Sequence, residues 1–394
     1  MATLKDKTCI VGVGESEYSS QAKRKLQKTG MQLVMEAVTA AIADAGLSPK
    51  DIDGIIPTGR GTAFPAEAVA ANLGTVMKYS AIIQMGGGSA CCGIQTAASV
   101  VAGDGANFVV LYYGGSGFSG LRPGRSEDRP AAQRPGGNRA FEWPYGWATY
   151  PQRYATICRR HMHEYGTTID QLAAIAVATR KHACLNDKAF FRTPMTVADH
   201  HNSRMIADPY HLLDCCLESD GVAAVIVGSA ESARNLNKRP VSISGIATGY
   251  PEFADSLVSR PDFTSFGVRH AAPRAFAMAE LTPADIQVAE IYDCFTFNML
   301  CQLEDVGFCK KGEGGPFVEG GRIELGGELP CNTHGGLLSQ AHIGGMNHVV
   351  ELVKQLRGEA GAAQVKDAHV GLVTSYGLEQ LGSLAILPVK GEWR

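Results

Sequence analysis

The sequence predicts an α/β protein made of two similar halves, with a long loop inserted in the first. Three observations predict it. Apolar runs of strand length alternate with segments of helical periodicity, the pattern of a sheet layered with helices. One turn motif occurs twice, near the start of each half. A glycine-rich helix start also occurs once in each half. The chain has 394 residues, enough for two packed cores, and its 45% hydrophobic and 19% charged residues are the balance of a globular protein.

The elements follow in order. Thr8-Cys9-Ile10-Val11-Gly12-Val13 reads as a first strand. From Met31 to Ala45, apolar residues at 33, 34, 37, 38, 41, 42 and 45 form one helical face, and Gly46 ends it. The motif Leu47-Ser48-Pro49-Lys50-Asp51-Ile52 follows, then the strand Gly54-Ile55-Ile56. Its hydroxyl caps a helical turn, its proline sits in that turn, and its aspartate meets the positive end of the dipole. Gly86-Gly87-Gly88-Ser89-Ala90-Cys91-Cys92 opens a small-residue helix to Ala102, and Phe108–Tyr113 is a buried strand. The stretch from Gly114 to Tyr154 is rich in Gly, Pro, Arg and aromatics and lacks periodicity, so it reads as an ordered covering loop. Ala223–Val227 is another buried strand.

The second half repeats the signals. Leu281-Thr282-Pro283-Ala284-Asp285-Ile286 repeats the turn and leads into Val288-Ala289-Glu290-Ile291. His342-Ile343-Gly344-Gly345-Met346-Asn347 opens a helix over 349–356, and the strand Val370–Thr374 follows. Duplication places the halves at 1–240 and 241–394, with the insertion at about 115–155 of the first.

Composition removes several function classes. A net charge of −3 with mixed signs gives no basic stripe for nucleic acid or a membrane surface. No apolar run reaches the roughly 18 residues of a membrane span, and the N-terminus lacks a secretory pattern. The 11 cysteines include the adjacent pairs Cys91-Cys92 and Cys215-Cys216 but no C-x-x-C, which fits reduced thiols in a cytoplasm. His161-Met162-His163 lacks further ligands nearby, so no metal is expected in this chain. His200-His201 reads as a polar loop, and Gly312-Glu313-Gly314-Gly315 lacks the Lys-Ser or Lys-Thr of a phosphate loop.

Three longer stretches resemble a family: Asp305-Val306-Gly307-Phe308-Cys309-Lys310-Lys311-Gly312, Leu329-Pro330-Cys331-Asn332-Thr333-His334-Gly335-Gly336 and Ser219-Asp220-Gly221-Val222. They look like the thiolase superfamily, in its sterol-carrier (lipid-transfer) branch. Tyr292-Asp293 with Phe295, and Gly345-Met346-Asn347, are similar to the bacterial steroid side-chain aldolases, thiolase-like enzymes of retro-aldol chemistry. The resemblance implies a thiolase fold of two βαβαβαββ halves in five layers. It also implies a homodimer core, coenzyme A as substrate or thioester carrier, and a small partner subunit with a zinc ribbon and OB-fold.

It further implies roles. The nucleophile of the family lies on the glycine-rich turn, where Ser89, Cys91 or Cys92 could occupy it; the helix dipole there favours a thiolate, and Cys91 is the candidate. His342 falls where the family has a catalytic His, but without the following proline. Tyr292-Asp293 stands where thiolases carry the residues of an oxyanion site. Asn332, His334 and Gly345 are candidate substrate-contacting groups. The second thiolase cysteine is absent: Thr374-Ser375-Tyr376-Gly377-Leu378-Glu379 replaces it, leaving Tyr376 or Ser375. Cys91 with His342 argues for acyl transfer; Tyr292 and the missing thiol argue for retro-aldol cleavage. The expectation is a thiolase-like enzyme acting at a carbon–carbon bond of a bulky acyl-CoA, by thiolysis of a β-ketoacyl-CoA. The alternatives are retro-aldol cleavage of a β-hydroxyacyl-CoA and a non-enzymatic acyl-CoA-binding subunit.

Overall fold

Each turn motif folds as its residues dictate. Pro49–Asp51 and Pro283–Asp285 are single 3-10 turns, and in both the aspartate side chain accepts the backbone N–H of the capping residue, Ser48 or Thr282. The preceding helices are Gly30–Ala45, closed by Gly46 in the left-handed region, and Val268–Ala279. The computed structural model describes residues 4–120, 139–147, 149–253, 257–377 and 380–391. Arg122-Pro123, Arg129-Pro130 and Arg134-Pro135-Gly136-Gly137 of the expected covering loop lie outside them.

The strands, in chain order, are β1 (Thr8–Glu15), β2 (Gly54–Thr58), β3 (Tyr79–Ser80), β4 (Phe108–Ser116), β5 (Met205–Ala207) and β6 (Tyr210–His211). Then come β7 (Asp220–Ser229), β8 (Val241–Ser242), β9 (Gly245–Gly249), β10 (Val288–Glu290), β11 (Val370–Tyr376) and β12 (Gly382–Pro388). One sheet has the order β3-β2-β4-β7-β1-β8, another β10-β11-β12-β9, and β5-β6 is a separate ribbon. The two large sheets share one wiring. β2/β4 and β10/β11 are parallel; β4/β7/β1 and β11/β12/β9 are antiparallel. The chain passes between sheets at Ile243 and Ser244: Ile243 N–H donates to Thr8 O at 3.0 Å, and Ser244 N–H to Ile386 O at 3.1 Å. Val241–Ser242, just past the boundary set at 240, therefore finishes the first sheet.

Layering follows from which faces are apolar. Gly30–Ala45 and Ala66–Leu73 cover the outer face of the first sheet. Ser89–Ala102 and Met346–Arg357 lie between the sheets, where Ile94, Ala97, Val349 and Val353 share one core with Val225 and Val373. Val268–Ala279 and Thr296–Val306 cover the far face of the second sheet. The result is helix–sheet–helix–sheet–helix, as expected. Glycines bring the outer helices close. A Cβ on Gly12 would stand 2.3 Å from Ala41 O, and one on Gly245 only 2.2 Å from Ala275 O, so β1 and β9 need glycine at matching places. Among the described residues no helix is long and apolar enough to cross a membrane.

Candidate active site

The second sheet delivers Tyr292 just beyond β10. Its backbone N–H donates to Thr374 Oγ1 at 2.9 Å and its carbonyl accepts from Gln302 Nε2 at 2.7 Å, so the main chain is fixed on both sides. The ring lies over two glycines. A Cβ on Gly87 would meet the Tyr292 hydroxyl at 2.0 Å, and one on Gly345 would meet Cδ2 at 3.0 Å. Gly345, at φ +82°, thus serves the tyrosine by leaving room for it.

His342 precedes the second glycine-rich helix start. Its N–H donates to Ser219 Oγ at 3.0 Å and its carbonyl accepts from Arg60 Nη2 at 2.7 Å, so two residues of the first half clamp it. Its Nε2 is 3.1 Å from the Tyr292 hydroxyl, a hydrogen bond whose direction depends on the imidazole tautomer. Burial pushes the imidazole pKa down to about 3, helped by the charge of Arg60 and by His348. Burial raises the Tyr292 phenol well above its ordinary value. At neutral pH both groups are therefore uncharged.

The pair faces a cavity of about 730 Å³. Tyr113, Cys216, Cys294 and Tyr376 line the same region, with Gly86 and Gly87 from the first glycine-rich turn. Phe118, Tyr150, Phe191 and Leu213 add apolar and aromatic surface to the walls, and Arg153, Arg260 and Glu218 add charge. Arg24 and Arg204 are exposed residues that also border the opening. A mostly apolar cavity with a few converging polar groups is the usual form of a small-molecule site.

The other expected residues are distributed differently. Cys91 is fully buried and is not part of the cavity wall. Its Sγ accepts from Ser375 Oγ at 3.2 Å and faces Val373 O at 3.7 Å. Burial pushes the thiol up to about 12, so it is not a thiolate at neutral pH. The dipole of the helix start is present, but desolvation outweighs it. Cys92 turns toward Thr248, 3.3 Å from its Oγ1. Ser89 closes its own turn, accepting from Met85 N–H at 2.8 Å and donating to Gly86 O at 2.7 Å.

Asp293 is also behind the wall. Its carboxylate accepts from Leu337 N–H at 2.8 Å and contacts His348 Nε2 at 3.1 Å. Asn332 accepts from Ile291 N–H at 2.7 Å and donates to Ile291 O at 2.8 Å, which pins the strand end before Tyr292. His334 Nδ1 lies 2.9 Å from Glu290 Oε2 in the interior. Glu290, His334 and His348 each bring one potential donor atom within 4.8 Å of the others. Burial raises the Glu290 carboxyl to about 8, so it carries a proton at neutral pH. Of the expected set, Tyr292, His342 and Tyr376 meet at the cavity.

Sequence reasoning missed Arg60, Tyr113, Cys216 and Cys294. Gly59-Arg60-Gly61 held a signal: an arginine between glycines at a strand end is a place where backbone must approach closely. A Cβ on Gly59 would collide with the Tyr113 ring at 1.8 Å.

Comparison with known proteins adds to this geometry. Residues 252–386 match the thiolase C-terminal domain-like family. The chain is 42% identical over 386 residues to a 17-hydroxy-3-oxo-4-pregnene-20-carboxyl-CoA lyase of Mycobacterium tuberculosis, covering 96% of this chain and 99% of that protein. It is 41% identical over 365 residues to a steroid side-chain-cleaving aldolase of Thermomonospora curvata, covering 91% and 92%. The solved Ltp2-ChsH2(DUF35) aldolase superposes with a TM-score of 0.90 at 39% identity, over 100% of both chains.

Proposed function

Because this chain belongs to the thiolase superfamily, in the branch of the thiolase-like steroid side-chain aldolases and sterol-carrier thiolases, we propose that it cleaves a bulky β-hydroxyacyl-CoA by retro-aldol chemistry. This reverses the preference for thiolysis drawn from Cys91 and His342. One observation carries the reading: the Tyr292–His342 pair faces the cavity, whereas Cys91 sits outside it as a protonated thiol. The two relatives more than 40% identical over nine-tenths of the chain point the same way, since one is named a carboxyl-CoA lyase and the other an aldolase.

The step balances without an acyl-enzyme. The Tyr292–His342 pair takes the proton of the substrate β-hydroxyl. The O–H electron pair becomes the second bond of a ketone, and the Cα–Cβ pair moves into the thioester as an enolate. A proton then returns to Cα; with a β-carbon that bears two carbon substituents besides Cα, the products are a shortened acyl-CoA and a ketone. The neutral imidazole supplies a free lone pair for this relay. Cys294 lines the same region and burial keeps it as a thiol, so it is the donor we assign to Cα; the proton taken from the β-hydroxyl then passes from the Tyr292–His342 pair to the Cys294 thiolate, which restores both groups. The aromatic residues in the cavity wall suit a ring-bearing acyl group.

Assembly belongs to the same proposal. The chain would act as a homodimer core joined by a small zinc-ribbon/OB-fold subunit; the two-component title of the Ltp2-ChsH2(DUF35) aldolase supports a partner. The test is cleavage of a β-hydroxyacyl-CoA with and without free coenzyme A, in the presence of a co-expressed partner. Retro-aldol cleavage releases ketone and acyl-CoA at the same rate in both. An absolute requirement for free coenzyme A, with a thioester trapped on Cys91, restores thiolysis. Tight binding with no cleavage under either condition leaves the binding-subunit reading.

A further inference from the structure

The catalytic pair is unusual in its construction: the tyrosine comes from the second half, and the backbone of the histidine is held from the first. Two residues hold it, Ser219 at the amide and Arg60 at the carbonyl. Arg60 sits at the end of β2, in a short turn between Gly59 and Gly61. A Cβ on Gly61 would stand 2.8 Å from Tyr112 O, and one on Gly59 would enter the Tyr113 ring, so the two glycines let the backbone that carries Arg60 run this close to the sheet. Room for the guanidinium is also prepared. A Cβ on Gly117 would be 2.2 Å from Arg60 Nη1. The side chain borders the cavity beside His342 and Tyr292.

We propose that Arg60 is the positioning residue of the Tyr292–His342 pair: it locks the His342 main chain across the two halves and presents a fixed positive charge to the imidazole. The proposal rests on the retro-aldol reading for its kinetic consequence, but not for its structural one. A guanidinium is the right group here because it donates to a carbonyl through one arm while remaining charged. Tyr292 meets His342 at Nε2, and Arg60 and His348 disfavour the imidazolium. Tyr113, Cys216 and Cys294 face Tyr292 from the same wall, and burial raises the pKa of each. Arg60 is thus a permanent cation that acts on both members of the pair.

The sign of the effect follows. Removing the guanidinium charge raises the His342 pKa, so the imidazole starts to protonate at a higher pH and loses its lone pair. The acid limb of kcat then moves to higher pH. The experiment compares Arg60→Met and Arg60→Lys in the full chain with its partner. Two readouts are taken, the pH profile of kcat and KM, and the His342 imidazole titration by NMR, assigned by its loss in His342→Gln. In Arg60→Met, kcat is expected to fall about 10²-fold with a smaller change in KM, the scale of a misplaced catalytic group. The imidazole titration is expected to move up by about one pH unit, a tenfold change in proton affinity. Arg60→Lys, which keeps the charge without the fork, returns the titration toward wild type and recovers part of kcat. An unmoved titration in Arg60→Met overturns the proposal, as does a loss confined to KM, which makes Arg60 a substrate contact. The NMR titration needs no substrate. If Tyr292→Phe cleaves normally, the functional reading fails while the titration still decides the role of Arg60.

Discussion

The two glycine-rich helix starts occupy the same place in the duplicated wiring, yet they do opposite things. In the first half, Gly86–Cys92 leads into Ser89–Ala102, and its thiol Cys91 turns into the middle layer against Ser375 and Val373. In the second, His342–Asn347 leads into Met346–Arg357, and its imidazole reaches the cavity and Tyr292. Both starts carry the dipole that stabilises an anion or a lone pair. What separates them is access. The first turn gives the cavity only its glycines, and its Gly87 is bare because the Tyr292 hydroxyl occupies the space above it. Equivalent topology thus fixes where a side chain begins, and its neighbours decide whether it meets substrate.

The largest expected effect tests the imidazole side. Tyr292→Phe and His342→Ala should each lower kcat by about 10²–10⁴-fold, the range of a positioned acid/base, with melting temperatures near wild type. Steady-state kinetics of the purified complex measures this. Near-normal turnover in either variant would dissolve the contrast between the two turns.

Next comes the glycine beneath the tyrosine. Gly87→Ala puts a methyl where the hydroxyl lies, 2.0 Å away, and also presses on Tyr376 O at 2.5 Å. Displacing the phenol should cost kcat about 10-fold to 10²-fold. A crystal structure of the variant would show the shifted ring, and an unshifted ring with full activity would count against the assigned role of Gly87.

Cys91→Ala sharpens the other side. It should leave kcat within about twofold, because the thiol is outside the cavity, and should lower stability by roughly 1–2 kcal/mol through lost packing. Denaturant unfolding and turnover measured on the same sample separate the two. Abolished turnover in a folded variant would return the nucleophile to this turn.

The smallest expected effect concerns the buried carboxyl behind the site. Glu290 has a folded pKa of about 8, above the ordinary carboxyl value of 4.5, so the native state holds a proton that the unfolded chain releases. Its contribution to stability is full below about 4.5 and is lost as the pH rises toward about 8. Glu290→Gln should flatten the fall of stability across that window. An identical pH slope in the variant would mean that other groups hold the proton.

Much of this protein was written locally and could be read from the sequence. The Ser48-Pro49 and Thr282-Pro283 turns, the helix closed at Gly46 and the apolar strands Phe108–Tyr113 and Ala223–Val227 are near-neighbour effects, set by capping, backbone freedom and periodicity. Repetition of those signals carried the two-sheet plan, and Tyr292, His342 and Tyr376 were legible through motif position. Access to the cavity was not legible. Cys91 lies in the first turn of one helix and His342 just ahead of the other, and long-range packing, 284 residues away at Ser375 and 282 residues away at Arg60, buries one and holds the other at the cavity. The pKa values divide in the same way. A helix start lowers a thiol pKa by a local dipole, but desolvation depends on every atom packed around the group, and that sum exists only in the tertiary structure.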